Sequence, residues 1–144
     1  DTREIINLGN NFNKTTILPL ICYEIIYPGK IKMQKHHPSL IINISEDAWF
    51  GQSIGPHQHF TKAIYRSIEE GIFIARSANK GISAFINPNG KIIKSLQTGE
   101  SGNIQLNFPN FKSTTLFSNY GNKIFFLFIF LYIFLILIFK KFKI

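Results

Sequence analysis

The sequence predicts an α/β layer fold, a helix packed over a mixed sheet, with a separate apolar helix at its C-terminal end. Three observations predict it: a strand, helix, strand order near the start, a hairpin signal in the middle, and a terminal run that is apolar on every face.

The first strand is TTILPLI, Thr15 to Ile21, rich in β-branched and apolar residues, and it delivers Cys22 to its C-terminal edge. Tyr23 and Glu24 then begin a turn. A second buried strand follows at Ser39 to Ser45, SLIINIS, bounded by Pro38 on one side and Glu46 and Asp47 on the other. Between the two strands, Ile25 to Lys35 has room for a short helix, which Pro28 and Gly29 confine to the stretch after them. After the second strand, Gly51, Gly55 and Pro56 mark a loop. From His57 to Ser77, Phe60, Ala63, Ile64, Ile68, Ile72 and Ala75 recur at three- and four-residue steps, which predicts an amphipathic helix. Gly71 interrupts that pattern at a cost of roughly 1 kcal/mol against alanine. Ile82 to Asn87 and Lys91 to Leu96 flank Pro88-Asn89-Gly90, and Asn-Gly between apolar runs signals a hairpin. Asn103 to Phe108 alternates apolar and polar residues as a further strand would, and the polar stretch Pro109 to Asn122 reads as a linker.

From Ile124 to Phe139 the chain holds only Ile, Phe, Leu and Tyr. As a helix this run is about 24 Å long, a little short of a roughly 30 Å hydrocarbon core. Lys123 and Lys140 can extend their stems to the interface and make up the difference. A domain this small has nothing to surround such a helix, so a membrane span is the expectation. Three lysines follow the run and one precedes it, which places the C-terminus in the cytoplasm and the rest of the chain outside.

Composition narrows the function. The chain has 144 residues, 45% of them hydrophobic, enough for one core once the tail is set aside. Its formal charge of +8 would suit a nucleic-acid partner if the cations were clustered, but apart from Lys30, Lys32, Lys35 and the terminal lysines they are scattered. No nucleic-acid partner is expected. His36, His37, His57 and His59 lack the spacing of two ligands on one helical face, so neither a metal nor any other cofactor is expected. With one cysteine no internal disulfide is available, and Cys22 is either a packed thiol or a working one. Because the sequence starts at Asp1 and not at Met, a longer parent protein is expected.

The neighbours of Cys22 favour the working thiol. Leu20-Ile21-Cys22-Tyr23-Glu24-Ile25-Ile26-Tyr27-Pro28 resembles the nucleophile segment of the nitrilase superfamily. Asn43 to Gly51, Ser53 to Phe60 and Ala75 to Ala84 resemble segments of one branch of it, the apolipoprotein N-acyltransferases. The resemblance implies the C-terminal part of a nitrilase-like αββα sandwich followed by one transmembrane helix. In residue terms this is a partial catalytic domain at 1–108, a linker at 109–122, and a membrane helix with a basic tail at 123–144. It further implies a ping-pong transfer in the bacterial inner membrane, with a phospholipid as acyl donor and an apolipoprotein as acceptor. Cys22 would hold the acyl chain as a thioester, a role suited to a thiolate once its resting pKa near 8.5 is overcome. Glu24 matches an additional acidic position of the motif. The N–H of Tyr23 is a candidate oxyanion donor, and Trp49 and Phe50 are candidates for an acyl pocket or a membrane contact. The glutamate base and oxyanion lysine of the family match no segment here, and Glu4 and Lys14 do not take their place. A soluble nitrilase-like amidase with water as acceptor, and an inactive remnant, are the alternatives.

Overall fold

The computed structural model describes residues 4–8, 15–29, 37–107 and 114–142. Six strands form one mixed sheet in sequential order: β1 (Ile6–Leu8), β2 (Thr15–Ile21), β3 (Leu40–Glu46), β4 (Phe73–Asn79), β5 (Ser83–Ile86) and β6 (Ile92–Leu96). β2, β3 and β4 run parallel at the centre, and β1, β5 and β6 are antiparallel flanks. β1 reaches only as far as Ile17, so Pro19, which has no N–H to give, lies where that edge of β2 is open. The helix expected after Pro28 and Gly29 would fall at 30–35, outside the described residues.

Helix α1 (Gly55–Glu70) carries Pro56 in its first turn, which its fixed φ suits, and buries Pro56, His59, Phe60, Ala63, Ser67 and Glu70 on one side. Here the structure corrects the sequence reading. The helix does not run on to Ser77: Gly71 adopts φ 68°, donates its N–H to the Ser67 carbonyl and ends it. Phe73–Asn79 is the central strand β4, in which Ile74 and Arg76 are buried while Phe73, Ala75 and Ser77 are more open, the period-two pattern of a sheet. Ile72 is buried under either period, whereas Ala75 continues only the helical one, and the left-handed glycine decides between them.

The core is the face of the sheet under α1, where Leu18, Leu20, Ile41, Ile74, Ala84 and Ile86 meet Phe60 and Ala63. The hairpin forms as expected, with β5 and β6 antiparallel and the Asn87 side chain accepting from the Asn89 and Lys91 amides. The expected strand at Asn103 to Phe108 is absent over its described part, 103–107. Ile104 and Leu106 are half-buried and their neighbours exposed, so the faces alternate, but no ladder forms. The segment is tied to β6 by Lys94 Nζ on the Gln105 carbonyl at 2.6 Å.

Within the stretch expected as linker, α2 (Leu116–Tyr120) is capped by Thr115, which accepts from the Ser118 N–H at 2.9 Å and donates to the Glu69 carbonyl at the end of α1. Helix α3 (Lys123–Phe142) follows, with 20 residues or about 30 Å of rise. It is long and apolar enough to cross a membrane, and Phe126, Phe130 and Phe134 stand 66%, 70% and 55% exposed along it.

Candidate active site

Everything chemical gathers at the C-terminal edge of the parallel strands. The register that sets Ile21 opposite Ile44 brings the next residue, Cys22, beside Ser45. Cys22 has φ 47°, a left-handed conformation that costs an L-residue roughly 1 to 2 kcal/mol. The chain turns there from β2 into a single 3-10 stretch, Cys22–Ile26, so the cysteine sits on a sharp strand-to-helix elbow, half-buried and with a free thiol.

Glu24 holds the start of the turn. Its Oε2 accepts from the Ile21 N–H at 2.7 Å, across the start of the turn, which makes it a brace for the elbow. Tyr23 is half-exposed and its ring stacks on His59, with centroids 5.2 Å apart. Phe50 meets the same imidazole edge-on at 5.9 Å. Tyr23, Phe50, Gln58, His59 and Lys62 line a shallow cavity of about 150 Å³. Trp49 is not part of this group: it is 86% exposed. Of the five residues singled out from the sequence, Cys22, Glu24, Tyr23 and Phe50 are brought together and Trp49 is not.

Beneath the elbow lies a polar network that the sequence reading missed, although its segments carried the family resemblance. Asn43, Ser45 and Asp47 follow one another at period two on β3 and its end, all buried, and Arg76 comes from β4 and His59 from α1. Arg76 donates to Asp47 Oδ2 at 2.7 Å, to the Asn43 side chain and to the Ile82 carbonyl at 3.3 Å. Asp47 Oδ1 accepts from the Ser45 hydroxyl at 2.7 Å and faces His59 Nδ1 at 2.9 Å. Gly81 makes room for that carboxylate, since a Cβ there would overlap it. Above the network, the Ser45 hydroxyl lies 3.7 Å from Cys22 Sγ. His59 Nε2 is 3.3 Å from the Cys22 carbonyl, and Asn43 Nδ2 is 3.1 Å from that of Leu20.

Burial by itself would raise the Asp47 carboxyl, but the Ser45 hydroxyl, the Arg76 charge and His59 outweigh it and hold Asp47 below the usual carboxylate range. The Arg76 guanidinium is drawn down by burial, with Asp47 opposing. The site is therefore a half-buried thiol on a strained elbow, over an ion pair with almost every lone pair committed. Such a thiol, with the Ser45 hydroxyl beside its sulfur and His59 on its own carbonyl, is suited to nucleophilic attack on an acyl carbon.

The chain belongs to the carbon-nitrogen hydrolase family, whose model matches residues 8–109. Among curated relatives it is similar to the apolipoprotein N-acyltransferase of Bradyrhizobium diazoefficiens, 43% identical over 105 residues, 73% of this chain and 20% of that protein. The proteins of the same name from Rickettsia bellii and Rickettsia prowazekii are 43% and 45% identical, over 78% and 74% of this chain. The chain thus spans about a fifth to a quarter of the length of these relatives. Among solved structures, a nitrilase-superfamily member from Saccharomyces cerevisiae aligns with TM-score 0.57 at 17% identity, over 70% of this chain and 39% of that one. An amidase from Nesterenkonia sp. aligns with TM-score 0.51 at 16% identity, over 68% of this chain and 39% of that one. These two likenesses establish the nitrilase-superfamily fold.

Proposed function

We propose that this chain is the nucleophile-bearing part of an N-acyltransferase that moves a fatty acyl chain from phospholipid to the N-terminal diacylglyceryl-cysteine of apolipoproteins. The observation that carries the reading is a single cysteine on a left-handed elbow at the end of a parallel strand, in a chain that runs on into a 20-residue apolar helix. A hydrolase of soluble amides has no use for that helix. An enzyme whose donor is a membrane lipid does.

In the proposed first step, the Cys22 thiolate attacks the ester carbonyl of the phospholipid. A C–S bond forms, the C–O bond breaks, and the lysophospholipid leaves with a proton. In the second step the acceptor's α-amine attacks the thioester, the C–S bond breaks, and the thiol is recovered as the amide forms. Glu24 braces the elbow, the Tyr23 N–H faces the developing oxyanion, and Tyr23 and Phe50 border the acyl chain. Trp49 and Ile54, 86% and 64% exposed on the loop before α1, are placed to meet the lipid interface. The catalytic part, 1–108, faces the outside of the bacterial inner membrane, 109–122 connects it, and 123–144 spans the bilayer with its lysine-rich end in the cytoplasm. The glutamate base and oxyanion lysine of this chemistry match no segment of this chain, so residues 1–144 alone are expected to be inactive.

The test incubates the full-length parent protein, in membranes, with phospholipid and a diacylated lipopeptide. Amide formation is the expected result. Release of free fatty acid with no amide would make it a hydrolase instead and overturn the proposal.

A further inference from the structure

His59 stands where a merely structural residue has no need to be. Its ring is 3% exposed, and both nitrogens face an acceptor: Asp47 Oδ1 at 2.9 Å from Nδ1 and the Cys22 carbonyl at 3.3 Å from Nε2. Each contact is a hydrogen bond when the ring nitrogen in it carries a proton. The charged groups around it are Asp47 from β3 and Arg76 from β4, whose Nη2 is 3.3 Å from Nδ1, with Lys62 further along its own helix lining the same cavity. Tyr23 and Phe50 close the ring in from above.

The contact to Cys22 has a consequence fixed by covalent geometry. The carbonyl of Cys22 and the N–H of Tyr23 belong to one planar trans peptide and point in opposite directions. Whatever holds that carbonyl down toward the network holds the N–H up, away from it. Asn43 also reaches the Cys22 carbonyl, but at 3.5 Å, and its better contact is the Leu20 carbonyl at 3.1 Å. His59 is thus the nearer side chain on this peptide, and its aim is set from below by Asp47, which Arg76 and Ser45 hold in turn.

We infer that His59 is a positioning residue: by holding the Cys22 carbonyl it aims the Tyr23 N–H at the point where the acyl oxyanion forms. The inference rests on the reading that Cys22 is the acyl-carrying nucleophile, and it adds a chain of command from the buried ion pair to the oxyanion donor. Charge develops on the carbonyl oxygen in the transition state, so a misaimed donor lowers the acylation rate constant more than it weakens substrate binding.

Two reactions of Cys22 in the parent enzyme separate this role from a structural one. Acylation by p-nitrophenyl butyrate, read as the burst of p-nitrophenolate, passes through a tetrahedral oxyanion. Alkylation by iodoacetamide displaces iodide at a saturated carbon and forms none. Asparagine at this position can present an N–H where Nδ1 stands, and glutamine where Nε2 stands. His59→Asn is therefore expected to slow the burst by about tenfold or more, with KM and the alkylation rate unchanged, and His59→Gln to recover most of the loss. A His59→Asn burst as fast as that of the unsubstituted enzyme overturns the inference. So does a parallel fall of burst and alkylation in both variants, which would make His59 a residue of the fold. An unsubstituted enzyme that gives the burst but forms no amide with the lipopeptide would sink the acyl-transfer reading and leave this one standing.

Discussion

The two faces of the sheet are built from the same strands and have opposite characters. Toward α1, Leu20, Ile41, Asn43 and Ile74 are fully buried, and the polar residues among them are matched to partners. On the other face, at the same end of the same strands, Ile21 and Ile44 sit side by side in register, 69% and 59% exposed. Polar groups are buried on the first face and large apolar ones exposed on the second. The difference teaches that the first face is complete in itself, whereas the second leaves large apolar side chains in solvent. An αββα sandwich has a second sheet to cover such a face, and this chain spans only part of its relatives.

Five substitutions break or sharpen that contrast. The largest effect belongs to the top of the closed face: Cys22→Ala in the full-length parent is expected to remove acyl transfer by several orders of magnitude, read as amide formation on the lipopeptide. Next is the ion pair below it. Arg76→Leu leaves Asp47 charged, buried and short of its main partner, and is expected to cost about 3 to 5 kcal/mol in a urea unfolding curve. The same carboxylate sets an acid limit. Its pKa is lower in the folded protein, so its contribution is fully present above the ordinary value near 4 and is lost as the pH falls through the folded value. Asp47→Asn is therefore expected to flatten the acid limb of a stability-against-pH curve.

The open face gives a smaller effect of two signs. Ile44→Lys should cost about 1 to 3 kcal/mol in the parent, where the face is covered, yet reduce the aggregation expected of residues 1–122 expressed alone. A monodisperse, cooperatively melting 1–122 without the substitution would show that the face needs no cover. Last, Trp49→Ala should change stability by less than about 0.5 kcal/mol, since the side chain stands in solvent, while lowering retention on phospholipid vesicles. A large loss of stability there would mean that Trp49 packs in the assembled enzyme.

Much of the fold could be read from the order of residues, because each legible element has a strong local signal. TTILPLI is a strand in any buried setting, Asn89-Gly90 forces a reversal, and Ile124 to Phe139 has no polar face to offer water. The helix ending at Gly71 and the strand at Phe73–Asn79 run together in the sequence because Ile72 and Ala75 continue the three- and four-residue steps of the helix while Ile72 and Ile74 also begin a period-two pattern, and local pattern has no way to weigh them. The unformed strand at 103–107 shows the reverse error, since alternation alone does not supply a neighbour to pair with.

The candidate site divides along the same line. Cys22, Tyr23 and Glu24 adjoin in sequence, so the motif that names one names all three. Asn43, Asp47, His59 and Arg76 lie on three different elements, and only the register of β2, β3 and β4 with α1 laid across it sets them under one peptide.

What the sequence determined by itself was the strand carrying the thiol, the turn after it, and a terminal helix too apolar for water, because each follows from near neighbours along the chain. What only the tertiary structure decided was the left-handed turn at Cys22, the ion pair beneath it, and which side of the sheet is left bare. Those depend on hydrogen bonds and burial between residues 20 to 50 positions apart, distances at which the chain carries no local signal.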